Sequence, residues 1–247
     1  MNDFNIFSNP RKSRYDPDLA RRVNEEKEPA IIRKEKLEAP KVQNLQKSDL
    51  KGFIYVPSIN LYLAKERTLK GKSWNETHKI LQEDNKFMPS IYQFTEYLKY
   101  LQNDHRDKTE AKEILDDILK KTQSGWKGEW LDAKFEKRNK GLYLLSEHKI
   151  QNGKLIAKSE QPLEKCVTED CYVDLKFNNQ GLPISKSKSQ SYNQGKNVYF
   201  WQPVDGRVAG FNVGSGRADL YCSNDDPDGR YVGLGVFPCA EGASQKI

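Results

Sequence analysis

The chain has little histidine and little methionine: three His and two Met among 247 residues. His78, His105 and His148 lie far apart in sequence. A multi-histidine metal site would need them to converge, so no metal ligand and no cofactor is expected. Histidine-dependent catalysis starts at a disadvantage for the same reason. Long apolar runs are also missing, and mean hydropathy is −0.87. No stretch approaches the roughly 20 apolar residues that span a bilayer. The opening MNDFNIFSNPRKSR lacks the apolar core of a secretory leader. Membrane insertion is therefore not expected, and the default location is cytoplasmic, with display at a surface left open. Glycine (16) and proline (11) are present at ordinary levels, which excludes collagen-like and low-complexity chains.

What is present points to a folded core. Aromatic residues make up 11% of the chain, four of them Trp. Trp74, Trp126, Trp130 and Trp201 are expected to be core residues. The net charge is +6, from 41 basic and 35 acidic residues. The basic residues are mostly Lys and are scattered, whereas phosphate-reading surfaces favour Arg forks. Nucleic acid is therefore an unlikely partner, and nucleic-acid binding stays a secondary reading. Cys166, Cys171, Cys222 and Cys239 lack the spacing of a zinc ribbon. Free thiols are the default, with a Cys166–Cys171 disulfide as the alternative.

Composition shifts along the chain. Residues 1–50 form a charged arm, partly helical or disordered, which is a candidate partner-binding segment. An ordered domain is expected over 51–247. FIYVPSINLYLA (53–64) reads as a strand or an extended pair. Ser73-x-x-Glu76 and Ser90-x-x-Gln93 are capping boxes that each start a helix. A third helix is expected from Thr109 to Lys121. After Gly125 the helical signals stop. EWLDAKFEKRNKGLYLLSEHKI reads as two or three short strands, and Asn152-Gly153 as a hairpin turn. VYFWQP, VAGFNVG, ADLYC and LGVFPC follow as short strands between turn residues. The fold class is α+β, with helices in the N-terminal half and short irregular antiparallel strands in the C-terminal half.

The last of these segments has a compositional gap. From Pro203 to Ala240, 38 consecutive residues contain no Lys, Glu, Gln, Met or Trp, types that fill 67 of the 247 positions. At that rate an empty window has a chance on the order of 10⁻⁵ before allowance for choosing the window. Every residue type present can be encoded by a codon ending in a pyrimidine, and the five missing types cannot. Repeated mutation of AAC or AAT codons leaves this pattern. A turn-rich segment would explain the Gly and Asp but not the missing Gln, Met and Trp.

Met88-Pro89-Ser90-x-x-x-Phe94, the E-W of Glu129-Trp130-Leu131-Asp132, and the ending ADLYC…GRYVGLGVFP together resemble a known family. It is the C-type lectin fold of the formylglycine-generating-enzyme type. Within it, the chain is most similar to the variable proteins of archaeal diversity-generating retroelements, over about residues 52–240. The resemblance implies a C-type-lectin-like domain with a C-terminal hypervariable region at about 203–240, diversified by adenine mutagenesis. It also implies an E-W turn at Glu129-Trp130. The enzymatic relatives need a close C-terminal Cys pair or a three-His iron site, which this chain lacks. An oxidoreductase like those relatives is therefore the alternative, not the expectation. Calcium-dependent lectins carry E-P-N or Q-P-D where this chain has Gln202-Pro203-Val204, and the apolar Val204 removes an oxygen ligand.

The resemblance implies binding rather than catalysis, to an unidentified protein or cell-surface ligand. Asn212, Ser215, Arg217, Asp219, Tyr221, Ser223, Asn224, Asp228, Arg230 and Tyr231 have the composition of a paratope. In ADLYC, alternation sends Ala218, Leu220 and Cys222 inward and Asp219 and Tyr221 outward. The outward residues are expected to share one solvent-facing surface. Asp225, Asp226 and Asp228 are read as a solvated turn, with a calcium loop as the alternative. His78 and His148 are read as surface or hydrogen-bonded core groups.

Overall fold

Two local signals place the first two helices, and both are present in the computed structural model, which describes residues 51–241. Ser73 accepts from the Glu76 amide while Glu76 accepts from the Ser73 amide, starting α1 (Trp74–Glu83). Ser90 and Gln93 make the same reciprocal pair at the start of α2 (Ile91–Asn103). Each box satisfies amides that the first helical turn leaves without partners. Asp107 caps α3 (Lys108–Leu119). No helix of the described residues is long and apolar enough to cross a membrane. The charged-arm expectation for 1–50 lies outside the described residues.

The strands are β1 (Phe53–Val56), β2 (Leu61–Ala64), β3 (Trp126–Arg138), β4 (Gly141–Ser146), β5 (Lys149–Gln151), β6 (Lys154–Ile156), β7 (Ser159–Pro162), β8 (Cys171–Asp174), β9 (Asn197–Trp201), β10 (Val208–Gly214), β11 (Ala218–Asp225), β12 (Leu234–Gly235) and β13 (Cys239–Glu241). β1 and β2 form the expected extended pair, and β13 adds to β2 as a third strand. The large sheet runs β7-β4-β3-β10-β11-β9-β8, with β12 beside β3, and curls into a half-barrel. β5 and β6 are a hairpin turning through Asn152 and Gly153, at φ 50° and 74°. Both turn residues need φ > 0, which the Asn-Gly pair supplies.

The molecule is mixed α+β and mostly β, but the expected division into halves needs correction. β1 and β2 precede the helices, and β3 is a 13-residue strand rather than a set of short pieces. β11 pairs β9, and β12 pairs β3, in parallel. The Glu129–Asp132 segment is the interior of β3, not a turn. Ladder pairing on both sides, to β10 and to β12, holds it extended.

One face of the large sheet packs on α2 and α3. Phe94, Leu98, Leu101, Ile114 and Ile118 meet Leu131, Phe135, Phe211, Val213 and Leu220 in the main core. Phe94 lies 5.3 Å from Phe211, ring to ring. A second core forms on the other side of β3, where Trp74, Leu81 and Met88 pack with Trp130, Leu234 and Val236. Of the four Trp, 74 and 130 are therefore core as expected. Trp126 is 44% exposed and Trp201 is only half-buried. Their strand positions point outward, and alternation overrides the preference of the residue type.

Candidate functional site

β8, β9 and β11 alternate cleanly. Val173, Val198, Phe200, Ala218, Leu220 and Cys222 face the main core, and the residues between them face away. Register then decides which outward residues are neighbours. Asp219 lies beside Tyr199 and Tyr221 beside Trp201, while Tyr172 lies beside Tyr199. The result is a continuous aromatic ladder. Tyr172 meets Tyr199 edge-on at 5.1 Å, Tyr199 meets Trp201 at 5.2 Å, and Trp201 stacks on Tyr221 at 5.1 Å and 29°.

Arg217 and Asp219 are set into this ladder. The Arg217 guanidinium sits 3.7 Å over the Tyr199 ring and donates to Asp219 Oδ1 at 2.7 Å. Trp201 Nε1 donates to the same oxygen at 3.1 Å. Burial pushes the Asp219 carboxyl up, and the Arg217 and Trp201 bonds pull against it. Such a face offers ring area, one cation and one anion in fixed geometry, the chemistry of a recognition surface.

The ten expected site residues do not form one group. Arg217, Asp219 and Tyr221 belong to the ladder, with Ser215 exposed at the β10–β11 turn and Asn224 exposed on β11. Asn212 lies over Gly128, where a Cβ would come within 2.1 Å of its side-chain oxygen; that oxygen is buried without a hydrogen bond. The Ser223 hydroxyl is likewise buried and unbonded. Asp228, Arg230 and Tyr231 belong elsewhere. Asp228 accepts from Asn75 at 2.7 Å, Arg230 pairs with Glu76, and Tyr231 packs on Trp130 at 5.8 Å. These three fasten the 226–233 loop to α1 and β3. The expectation of one shared surface is thus corrected for Asp228, Arg230 and Tyr231, whereas Asn212, opposite Asp219 in the β10–β11 ladder, and Ser223, two residues beyond Tyr221, stay on the face with Asp219 and Tyr221. Tyr172, Tyr199 and Trp201 are additions from outside the window. For Tyr199 and Trp201 the signal is the alternation of VYFW, against which Trp201 is expected in the core as a Trp; Tyr172 comes from CYVD on β8.

The acidic turn also differs from its reading as solvated. Asp226 and Asp228 are exposed, but Asp225 is buried, and its Oδ2 has no partner. The three carboxylates form no cation cluster among the described residues. Burial pushes the Asp225 carboxyl up to about 6. A raised carboxyl stabilises the fold fully below its unfolded value near 4, and that contribution is lost as pH rises through about 6. Asp225→Asn is therefore expected to raise stability at pH 8 by on the order of 2 kcal/mol and to leave it unchanged at pH 4. Urea unfolding at the two pH values measures this; equal effects at both would sink it.

His148 is a hydrogen-bonded core group as expected, and His78 is a buried one whose Nε2 has no hydrogen bond. His78 on α1 and His148 before β5 converge on Asp132 of β3. His148 uses its amide (3.1 Å) and Nδ1 (2.5 Å) on the two carboxylate oxygens. His78 Nε2 faces Asp132 Oδ1 at 3.5 Å and has no hydrogen bond. All three side chains are buried. Separations of 54 and 16 residues leave no local motif, so only the tertiary fold reveals the cluster.

The four thiols are free; Cys222 and Cys239 are fully buried, and burial holds both well above the usual thiol range. No family model, no curated protein and no solved structure matches the chain.

Proposed function

We propose that the chain is a ligand-binding, receptor-like protein of C-type-lectin-like build. Its recognition surface is the outward ladder of Tyr172, Tyr199, Trp201, Arg217, Asp219 and Tyr221. Its 203–240 segment is hypervariable and diversified by a retroelement. The observation that carries the binding reading is the ladder itself: four rings, one Arg and one Asp gathered on the face opposite the α2–α3 core. Half of those residues come from the window without Lys, Glu, Gln, Met and Trp. The lectin-like reading is supported by the element order, in which a hairpin, helices and a sheet are followed by a strand that returns to the first hairpin.

Two measurements test the two halves separately. Sequencing the DNA around the gene is expected to find a reverse transcriptase and a near-copy of the 203–240 coding segment. The copies should differ at adenines, in codons for Arg217, Asp219 and Tyr221 rather than Ala218, Leu220 and Cys222. Absence of the near-copy removes the diversification claim. Screening the full chain against arrays of cell-surface proteins and glycans tests the face. Any hit should lose about 30-fold in affinity with Tyr221→Ala or Trp201→Ala, the loss of one buried aromatic anchor. Hits indifferent to both changes would place recognition elsewhere.

A further inference from the structure

We propose that His78, Asp132 and His148 form a buried binding site for one divalent transition cation, with zinc as the reference ion. The site is built by three separate elements. α1 brings Trp74, His78 and Leu81 onto one face at spacings of four and three. β3 carries Asp132, whose amide is held by the Pro89 carbonyl at 2.7 Å. His148 is aimed inward by its neighbours. Glu147 adopts φ 56°, a left-handed conformation that a non-glycine residue takes at some expense. Gln82, one turn beyond His78, accepts from the Ile150 amide at 2.7 Å and donates to the His148 carbonyl at 3.2 Å. Trp74 sets its ring against both imidazoles, 4.2 Å from His78 and 4.8 Å from His148.

The electrostatics of this pocket lack one member. The donor atoms all lie within 4.8 Å of one another. His148 satisfies Asp132, but His78 Nε2 points at an already engaged oxygen from beyond hydrogen-bonding range. A buried, unbonded imidazole nitrogen is unfavourable by about 1–3 kcal/mol. In the tautomer protonated at Nδ1, the Nε2 lone pair faces the buried carboxylate with no hydrogen between them, a position that a cation fills. A cation that bonds nitrogen and oxygen at about 2.0–2.2 Å satisfies both at once, if the widest donor pair closes in and the His148–Asp132 hydrogen bond opens to make room for the ion. Two imidazoles and one carboxylate favour zinc, iron, cobalt or nickel over magnesium and calcium, which take oxygen ligands. The ion ties α1, β3 and the start of the β5–β6 hairpin together beneath the second core.

The test uses the full chain, stripped with a chelator and titrated with zinc or cobalt(II). One equivalent is expected to bind and to raise the unfolding temperature, and cobalt should give visible d–d bands. His78→Gln should weaken zinc binding by about 100-fold or more while keeping the far-ultraviolet circular dichroism of the unmodified chain. His105→Gln, remote from the cluster, should change nothing. X-ray absorption on the zinc-loaded wild-type chain, which needs no variant, should report two imidazole nitrogens and oxygen at about 2.0 Å. Failure to bind at micromolar zinc, sulfur in the first coordination sphere, or full binding by a folded His78→Gln would each overturn the proposal. None of these outcomes touches the outward ladder.

Discussion

Arg67→Met is expected to destabilise the chain by about 3–5 kcal/mol, the usual loss when one member of a buried ion pair is removed. Arg67 Nε and Nη2 donate to Glu129 Oε2 at 3.0 and 2.7 Å, and Nη1 donates to Asp117 at 2.9 Å. Side-chain exposure is 4% for Arg67 and 1% for Glu129. The guanidinium also lies 4.9 Å from the Phe237 ring, so the change removes stacking as well as charge. Glu129 Oε1 has no partner even in the intact pair. Burial already pushes the Glu129 carboxyl up to about 7, with Arg67 opposing the rise. Without Arg67 the carboxyl climbs further and folds as the neutral acid. The variant is then least unstable at acid pH and loses stability as pH rises through the folded value, while the unfolded group ionises near 4.5. Urea midpoints at pH 5 and pH 8 check the direction. Arg67→Met with Glu129→Gln should recover most of the loss, because no unpaired charge remains buried. A double variant as unstable as the single one would refute this account.

Phe211→Ala should cost about 3–5 kcal/mol, whereas Tyr221→Ala should cost about 1 kcal/mol. The two residues lie on adjacent strands and inside the same compositional window. Phe211 packs against Phe94 of α2 inside the main core, rings tilted at 52°, and its removal leaves a cavity that neither the helix nor the sheet fills. Tyr221 lies on the outward side, half-buried, with Trp201 as its ring partner. Chemical denaturation of both variants measures the contrast. Equal losses would mean that the outward face is part of the stabilising core rather than a surface free for recognition.

The helices were legible because their signals are local. A Ser-x-x-Glu box and a Ser-x-x-Gln box each act within one turn, and both formed as read. The period of two in ADLYC was legible for the same reason, and Leu220 and Tyr221 fall on opposite faces. Partner choice was not legible. Nothing local in VYFW says that Trp201 will lie beside Tyr221 in a parallel pair, so sequence alone shows only half of the ladder. His78, Asp132 and His148 were missed for a related reason: each is ordinary alone, and the chemistry arises only from tertiary convergence. Asp228 and Arg230 have paratope-like character, yet Asn75 and Glu76 already hold them.

The pairing of β13 with β2 sets a condition on biosynthesis. Leu63 finds Cys239, and Tyr62 finds Ala240, across more than 170 residues of chain. The small sheet that begins with the first described hairpin therefore stays open until the ribosome has released the last described strand. During that interval β2 presents an unpaired edge, a template for other chains. The chain between β2 and β13 must lead back to that edge. Closure of the small sheet thus screens substitutions within 203–240: those that cannot deliver β13 keep the edge exposed and leave the chain to aggregation or proteolysis.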